Sequence, residues 1–174
     1  MPTTRRGHDK KSERSEFAPP GHNHALCVDD AIAAAERQCA VKGARLTEHR
    51  RRVLELIWKS HAPVGAYTLL DRLRDDGVRA QPPTVYRALE FLVENGLIHR
   101  IESLNAYVGC ADPDERHVGQ FLICTGCQSA AELDDPGIGT AIAARAREIG
   151  FSVTRATVEI AGLCPNCRAA RPAS

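Results

Sequence analysis

Five side chains able to ligate a metal, Cys110, His117, Cys124, Cys127 and Glu132, fall within one short stretch of this 174-residue chain. The pair in Cys124-Thr-Gly-Cys127 has a counterpart in Cys164-Pro-Asn-Cys167. Two such C-x2-C knuckles bring four thiolates around one tetrahedral ion, with zinc–sulfur bonds of about 2.3 Å. Cys110, His117 and Glu132 are left over from that set, and a fourth ligand must come from elsewhere. His99, a few residues upstream, is the natural choice. The expectation is therefore two metal sites per chain, a four-cysteine zinc site and a mixed site in which His99 joins Cys110, His117 and Glu132.

Seven cysteines in a chain without a secretory signal read as metal ligands, because the cytosol keeps thiols reduced. The opening residues are polar and basic, with no apolar core of a leader behind them, so the protein is expected in the cytoplasm. With 43% hydrophobic and 26% charged residues the composition is that of a globular protein, and no run approaches the ~18 apolar residues of a membrane span. No membrane partner is expected. The net charge of +1 conceals an asymmetry: residues 1–100 hold 17 Lys and Arg against 13 Asp and Glu, whereas residues 101–174 hold 6 against 9. Seven of the basic residues lie between Arg37 and Lys59, which suits a phosphate backbone and equally suits a solvated helix face.

The elements that must position these groups follow from periodicity. Residues 1–28 are too polar to bury a core and are expected to form a disordered tail, ending in His22, His24 and Cys27, a flexible cluster of the kind that rarely makes a defined metal site. A winged-helix domain is expected over 29–109, a hinge over 110–117 and a zinc-binding dimerisation domain over 118–174. In the first domain Asp29 can cap a helix that carries Ile32, Ala33 and Cys39 and stops at Gly43. Thr47 can cap a second helix with Val53, Leu54, Ile57 and Trp58 on one side and Arg50, Arg51 and Arg52 on the other. A third runs from Ala66 to Asp76, with Gly77 as its stop. A fourth opens at Pro82-Pro83 and ends at Asn95-Gly96. Two strands, Leu97–Glu102 and Ala106–Val108, joined by the turn Ser103-Leu104-Asn105, complete a wing.

In a helix-turn-helix of this kind the first turns of the fourth helix face the major groove, so Thr84, Tyr86 and Arg87 become candidates for base contact, and Arg87 can fork onto guanine. The competing reading half-buries Tyr86 and pairs Arg87 with Glu90 or Glu94. Arg51 is the candidate for a phosphate. Beyond Cys110 the pattern turns to strands at 120–124 and 130–133, an amphipathic helix at 137–149 and an alternating strand at 152–162, a small α/β unit whose free edge a second copy could cover.

The segments Gly65-Ala-Tyr-Thr-Leu-Leu-Asp71, Pro82-Pro-Thr-Val-Tyr-Arg-Ala-Leu89, Asn95-Gly-Leu-Ile-His-Arg-Ile-Glu-Ser103 and Asn105-Ala-Tyr-Val108, with the two knuckles, make the chain resemble the ferric uptake regulator family over residues 29–168. The resemblance implies an α+β homodimer, a metal-responsive repressor that binds palindromic double-stranded DNA and is not an enzyme. It assigns the structural zinc to Cys124, Cys127, Cys164 and Cys167 and the regulatory zinc to His99, Cys110, His117 and Glu132. It also adds Tyr67 to the DNA-facing residues Arg51, Thr84, Tyr86 and Arg87. Iron-sensing members carry a dense histidine run before the first knuckle. Here that place reads Asp114-Glu-Arg-His117, and the thiolate of Cys110 favours zinc. The family's zinc-sensing branch, controlling zinc uptake genes, is thus expected, with iron or peroxide sensing as the alternative. A zinc hydrolase or nucleobase deaminase is disfavoured: no His-x-Glu occurs, and four ligands would leave a catalytic ion no open position. A thiol redox protein is disfavoured by the pairing of the two knuckles.

Overall fold

The structure is a computed structural model, and it describes Phe17 and residues 24–60, 62–113, 118–133 and 135–170. The chain divides into two units, Gly21–Arg116 and His117–Ser174.

The first unit consists of α1 (His24–Val41), α2 (Glu48–Trp58), β1 (Val64–Gly65), α3 (Ala66–Asp75), α4 (Pro82–Glu94), β2 (Ile98–Ile101) and β3 (Ala106–Gly109). Its core gathers one face of each helix: Ile32, Ala35 and Cys39 from α1, Val53, Leu54, Leu56 and Ile57 from α2, Leu69, Leu70 and Leu73 from α3, and Val85, Ala88, Leu89 and Leu92 from α4. These are the stripes that helical spacing sets out, and burying them removes apolar surface from water at about 25 cal/mol per Å2. Proline at the first helical positions opens α4, where the missing N–H has no partner to lose. Gly43, Gly77 and Gly96 follow α1, α3 and α4 at φ +62°, +77° and +72°, left-handed values that a residue without Cβ adopts freely. Thr47 stands before α2 in extended conformation, but its side chain caps no helical N–H.

Two further expectations change here. Helix α1 starts at His24 rather than at an Asp29 cap, so Ala25, Leu26 and Cys27 are helical and not tail. The first turn carries little sign of a core face, because Leu26 is 64% exposed and Val28 is only partly buried against the core. The wing also has three strands, in the order β1-β3-β2, both pairs antiparallel. β1 has two residues and is specified by its partner strand rather than by any local pattern. At the tip of the wing Asn105 adopts φ 46°, and its side-chain oxygen accepts a hydrogen bond from Arg100 at 3.1 Å.

The second unit consists of β4 (Gly119–Cys124), β5 (Ala130–Glu132), α5 (Pro136–Glu148), β6 (Thr157–Gly162) and α6 (Pro165–Ala169). The sheet order is β5-β4-β6. β4 and β5 form an antiparallel hairpin, whereas β6 returns parallel to β4, a connection that needs a crossover, here supplied by α5. Asp135 caps α5 by accepting a hydrogen bond from the N–H of Gly137 at 2.8 Å. The last strand is shorter than expected: 152–156 precede the ladder instead of joining it, since β4 begins only at Gly119 and offers no partner further back. No residue of α5 is buried, so the expected packing of the sheet against a single helix leaves Ile142, Ile149, Phe151, Val153 and Ile160 exposed. No helix among the described residues is long and apolar enough to cross a membrane.

Candidate metal centres and nucleic-acid interface

The parallel pairing of β4 with β6 brings the two knuckles together. In that register Cys124 stands opposite Gly162, so both strands end at the same edge of the sheet. The Thr125 N–H and hydroxyl each donate to the carbonyl of Gly162, at 2.8 and 3.1 Å. The hairpin turn 124–129 is closed by Cys124 N–H to Ser129 O and Gln128 N–H to Cys124 O, both 2.9 Å, and requires Gln128 at φ 59°. The second knuckle is the first turn of α6, capped by Cys164, whose sulfur accepts from the N–H of Cys167.

The ligand atoms of Cys124, Cys127, Cys164 and Cys167 lie within 4.8 Å of one another. All four cysteines are unbridged, and Cys127 Sγ lies 3.8 Å from Cys164 Sγ. A tetrahedron with bonds of about 2.3 Å has edges of about 3.8 Å, so the donor set fits zinc. Electrostatics point the same way. The Cys164 N–H donates to Cys124 Sγ at 3.3 Å and, with the N–H groups of Cys127 and Gly126, pulls the Cys124 thiol down to about 6. The Ser129 hydroxyl, 3.0 Å from Cys127 Sγ, lowers that thiol too. Hydrogen bonding to the sulfurs of Cys164, Cys124 and Cys127 pushes Cys167 up to about 12. Four sulfurs this close cannot all lose their protons unless a cation balances the charge. Gly126 completes the cradle: a Cβ there would stand 2.9 Å from Cys167 Sγ and 3.2 Å from its Cβ.

Of the mixed set, His99 and Cys110 meet within the first unit, their ligand atoms within 4.8 Å. His99 is the second residue of β2, opposite Val108 in β3. The Cys110 N–H donates to the carbonyl of Leu97 at 3.1 Å, extending the ladder by one residue. With side chains alternating along a strand, His99 and Cys110 therefore project from the same face as diagonal neighbours. Glu132, in the second unit, is a buried carboxylate at the end of β5. His117 and His22 lie outside the described residues, and Cys27 is partly buried on α1.

On the candidate DNA face, Tyr67 on α3 and Tyr86 on α4 are 70% and 46% exposed, so Tyr86 is about half-buried and still presents the rest of its surface to solvent. Arg87 is exposed, and among the described residues no ion pair ties it to Glu90 or Glu94. Thr84 is half-buried on the first turn of α4. The arginine block of α2 is engaged otherwise than sequence suggests. Arg50 stacks its guanidinium 3.5 Å over the ring of Phe91, Arg51 pairs with Glu36, and Arg52 pairs with Glu55 at 2.7 Å and Asp76 at 2.6 Å. These contacts brace α2 against α1, α3 and α4. Arg51 therefore meets a phosphate only by sharing its charge with Glu36. The supporting roles of Ser129 and Gly126 escaped the sequence reading, although a glycine inside a knuckle is itself a sign of close backbone approach.

The sequence pattern of the ferric uptake regulator family matches residues 41–161. The chain is 39% identical to the zinc uptake regulation protein of Escherichia coli (strain K12) over 141 residues, 80% of this chain and 82% of that one. It is 31% identical to the zinc uptake regulation protein of Mycobacterium tuberculosis over 129 residues, 72% of this chain and 96% of that one. A solved zinc uptake regulator complexed with zinc and DNA superposes with a TM-score of 0.78 at 38% identity, covering 82% of this chain and 95% of that one.

Proposed function

The chain belongs to the ferric uptake regulator family, and on that premise we propose that it is a zinc-responsive transcriptional repressor, a cytoplasmic homodimer that binds palindromic operator DNA when zinc fills its sensing site and so controls zinc uptake genes. The observation that carries this reading is the placement of a His–Cys ligand pair on the wing of a winged helix, apart from a complete four-cysteine cluster. The relatives in Escherichia coli and Mycobacterium tuberculosis are named for zinc uptake regulation, and a similar structure was solved with zinc and DNA. A soft thiolate in the sensing set supports zinc over iron.

Cys124, Cys127, Cys164 and Cys167 would hold the structural zinc, and His99, Cys110, His117 and Glu132 the regulatory one, giving two per chain. When bound, zinc supplies bonds that hold its ligands in one arrangement. His99 and Cys110 belong to the first unit and His117 and Glu132 to the second, so ligation by all four residues selects one arrangement of the chain from those its connection allows. That raises the fraction of dimers with both reading helices at half-site separation. On α4, Arg87 and Tyr86 read bases, and Thr84 and Tyr67 contact the same duplex, with Arg51 on a phosphate. The exposed apolar residues of α5, β6 and the segment between them supply the surface that a second copy covers.

Metal analysis of protein purified without chelator, with its mass in solution measured alongside, tests this reading. Two zinc per chain, no iron and a dimeric mass are expected. Iron at the second site, or a monomer when zinc is full, would overturn it.

A further inference from the structure

The only tryptophan of the chain meets the residue that precedes Cys110. Trp58 is the last residue of α2, and its ring lies against the Cα of Gly109 so closely that a Cβ there would fall 2.5 Å from Cζ2 and Nε1 and nearer still to Cε2. No side chain other than hydrogen fits opposite the indole. The ring keeps this place although its Nε1 is buried with no hydrogen-bond partner among the described residues, a condition buried indoles usually avoid. Shape, not polarity, holds it there.

Its place relative to the ligands is specific. Gly109 pairs with Ile98 in the wing ladder, and Cys110 continues that ladder through Leu97. Successive residues of a strand face opposite ways, so the indole backs the strand from the side away from the Cys110 thiol. Just beyond, Gln38 of α1 donates from Nε2 to the carbonyl of Pro113, holding the far side of the same turn. The short run carrying Cys110 is thus fixed by the ladder to β2, by Trp58 from behind and by Gln38 ahead.

We propose that Trp58, seated on Gly109, is a positioning residue for the sensing metal: it fixes the end of β3 so that Cys110 presents its thiolate beside His99. This rests on the reading of His99 and Cys110 as ligands. The same ring ends the helix whose Val53, Leu54 and Ile57 share a core with Val85, Leu89 and Leu92 of α4, so the ligand strand and the reading helix are registered to one side chain.

The test is a cobalt(II) titration of full-length protein already holding one zinc per chain, following the thiolate-to-cobalt charge-transfer band, on wild type, Gly109→Ala, Trp58→Leu and the double variant. Each single change should weaken cobalt binding about 10- to 100-fold, with far-UV circular dichroism and the first zinc retained. The double variant should recover most of the wild-type affinity, since leucine leaves room for the methyl group. If Gly109→Ala fails to fold, Trp58→Leu decides alone. Wild-type cobalt affinity in the folded single variants would overturn the proposal, as would a loss matched by equal loss of zinc and helicity. A wild type that takes up no second metal would overturn the ligand assignment and this inference with it.

Discussion

Replacing Gly126 by alanine probes the cradle of the four-cysteine cluster with one methyl group. The added Cβ would sit 2.9 Å from Cys167 Sγ, 3.2 Å from Cys167 Cβ and 3.4 Å from Leu163 Cδ2, so the first two neighbours must withdraw by several tenths of an ångström. Cys167 cannot simply rotate away, because its sulfur is one of four that must stay near tetrahedral spacing. Overpacking of this kind costs about 1–3 kcal/mol; a middle value of about 2 corresponds to roughly 30-fold in zinc affinity. In a unit of this size the same cost lowers the midpoint of thermal unfolding by about 8–16 °C. Gly162, opposite Cys124 in the ladder, is the control: a Cβ there meets nothing within 4 Å, and Gly162→Ala should be close to neutral. Competition for zinc against a chromophoric chelator, with a thermal melt of each protein, gives both quantities. Wild-type zinc affinity and melting in Gly126→Ala would refute the picture of a tightly closed thiolate cage.

Cys164→Ser removes a thiolate ligand while leaving the backbone N–H that donates to Cys124 Sγ and an oxygen able to cap α6, so it isolates the loss of the metal; the second unit should unfold and dimers disappear, and a stable dimer by light scattering would count against a structural zinc. Arg87→Ala should cost about 1–3 kcal/mol in operator binding and relax the base preference in each half-site, seen by selection from random duplexes; unchanged selection would move the reading residue elsewhere. Glu36→Gln releases Arg51 from its ion pair. Binding to any duplex should tighten while the melting temperature stays nearly fixed, since an exposed pair contributes about 1 kcal/mol or less. Fluorescence anisotropy on unrelated DNA at two salt concentrations checks this, and unchanged affinity would place Arg51 away from the backbone.

The parts legible in sequence were those that local rules decide. Pro82-Pro83 and Asn95-Gly96 bound α4 because proline and glycine act at single positions, and its stripe of Val85, Ala88, Leu89 and Leu92 follows from helical period. The two knuckles announce a four-thiolate site by spacing alone. What brings them together, the parallel register of Cys124 with Gly162, joins strands far apart in the chain, and no local pattern encodes it. The same holds for the partners of Arg50, Arg51 and Arg52, which come from α1, α2, α3 and α4: composition showed a basic block, and tertiary packing turned it into braces. The two-residue β1 and the first turn of α1, whose Leu26 is exposed, carry too little hydrophobic pattern to be read. Trp58 was legible as core, but its seat on Gly109 depends on a glycine some fifty residues away.

The central claim is that metal at His99 and Cys110 sets DNA affinity while the four-cysteine cluster sets the fold. The most direct measurement is the affinity of wild type and Cys110→Ser for a palindromic duplex, selected by the zinc-loaded wild type, with and without added zinc. The wild type should bind at least tenfold more tightly with zinc; Cys110→Ser should remain a folded dimer holding one zinc per chain and bind equally weakly in both conditions. Equal stimulation by zinc in the two proteins would contradict the account.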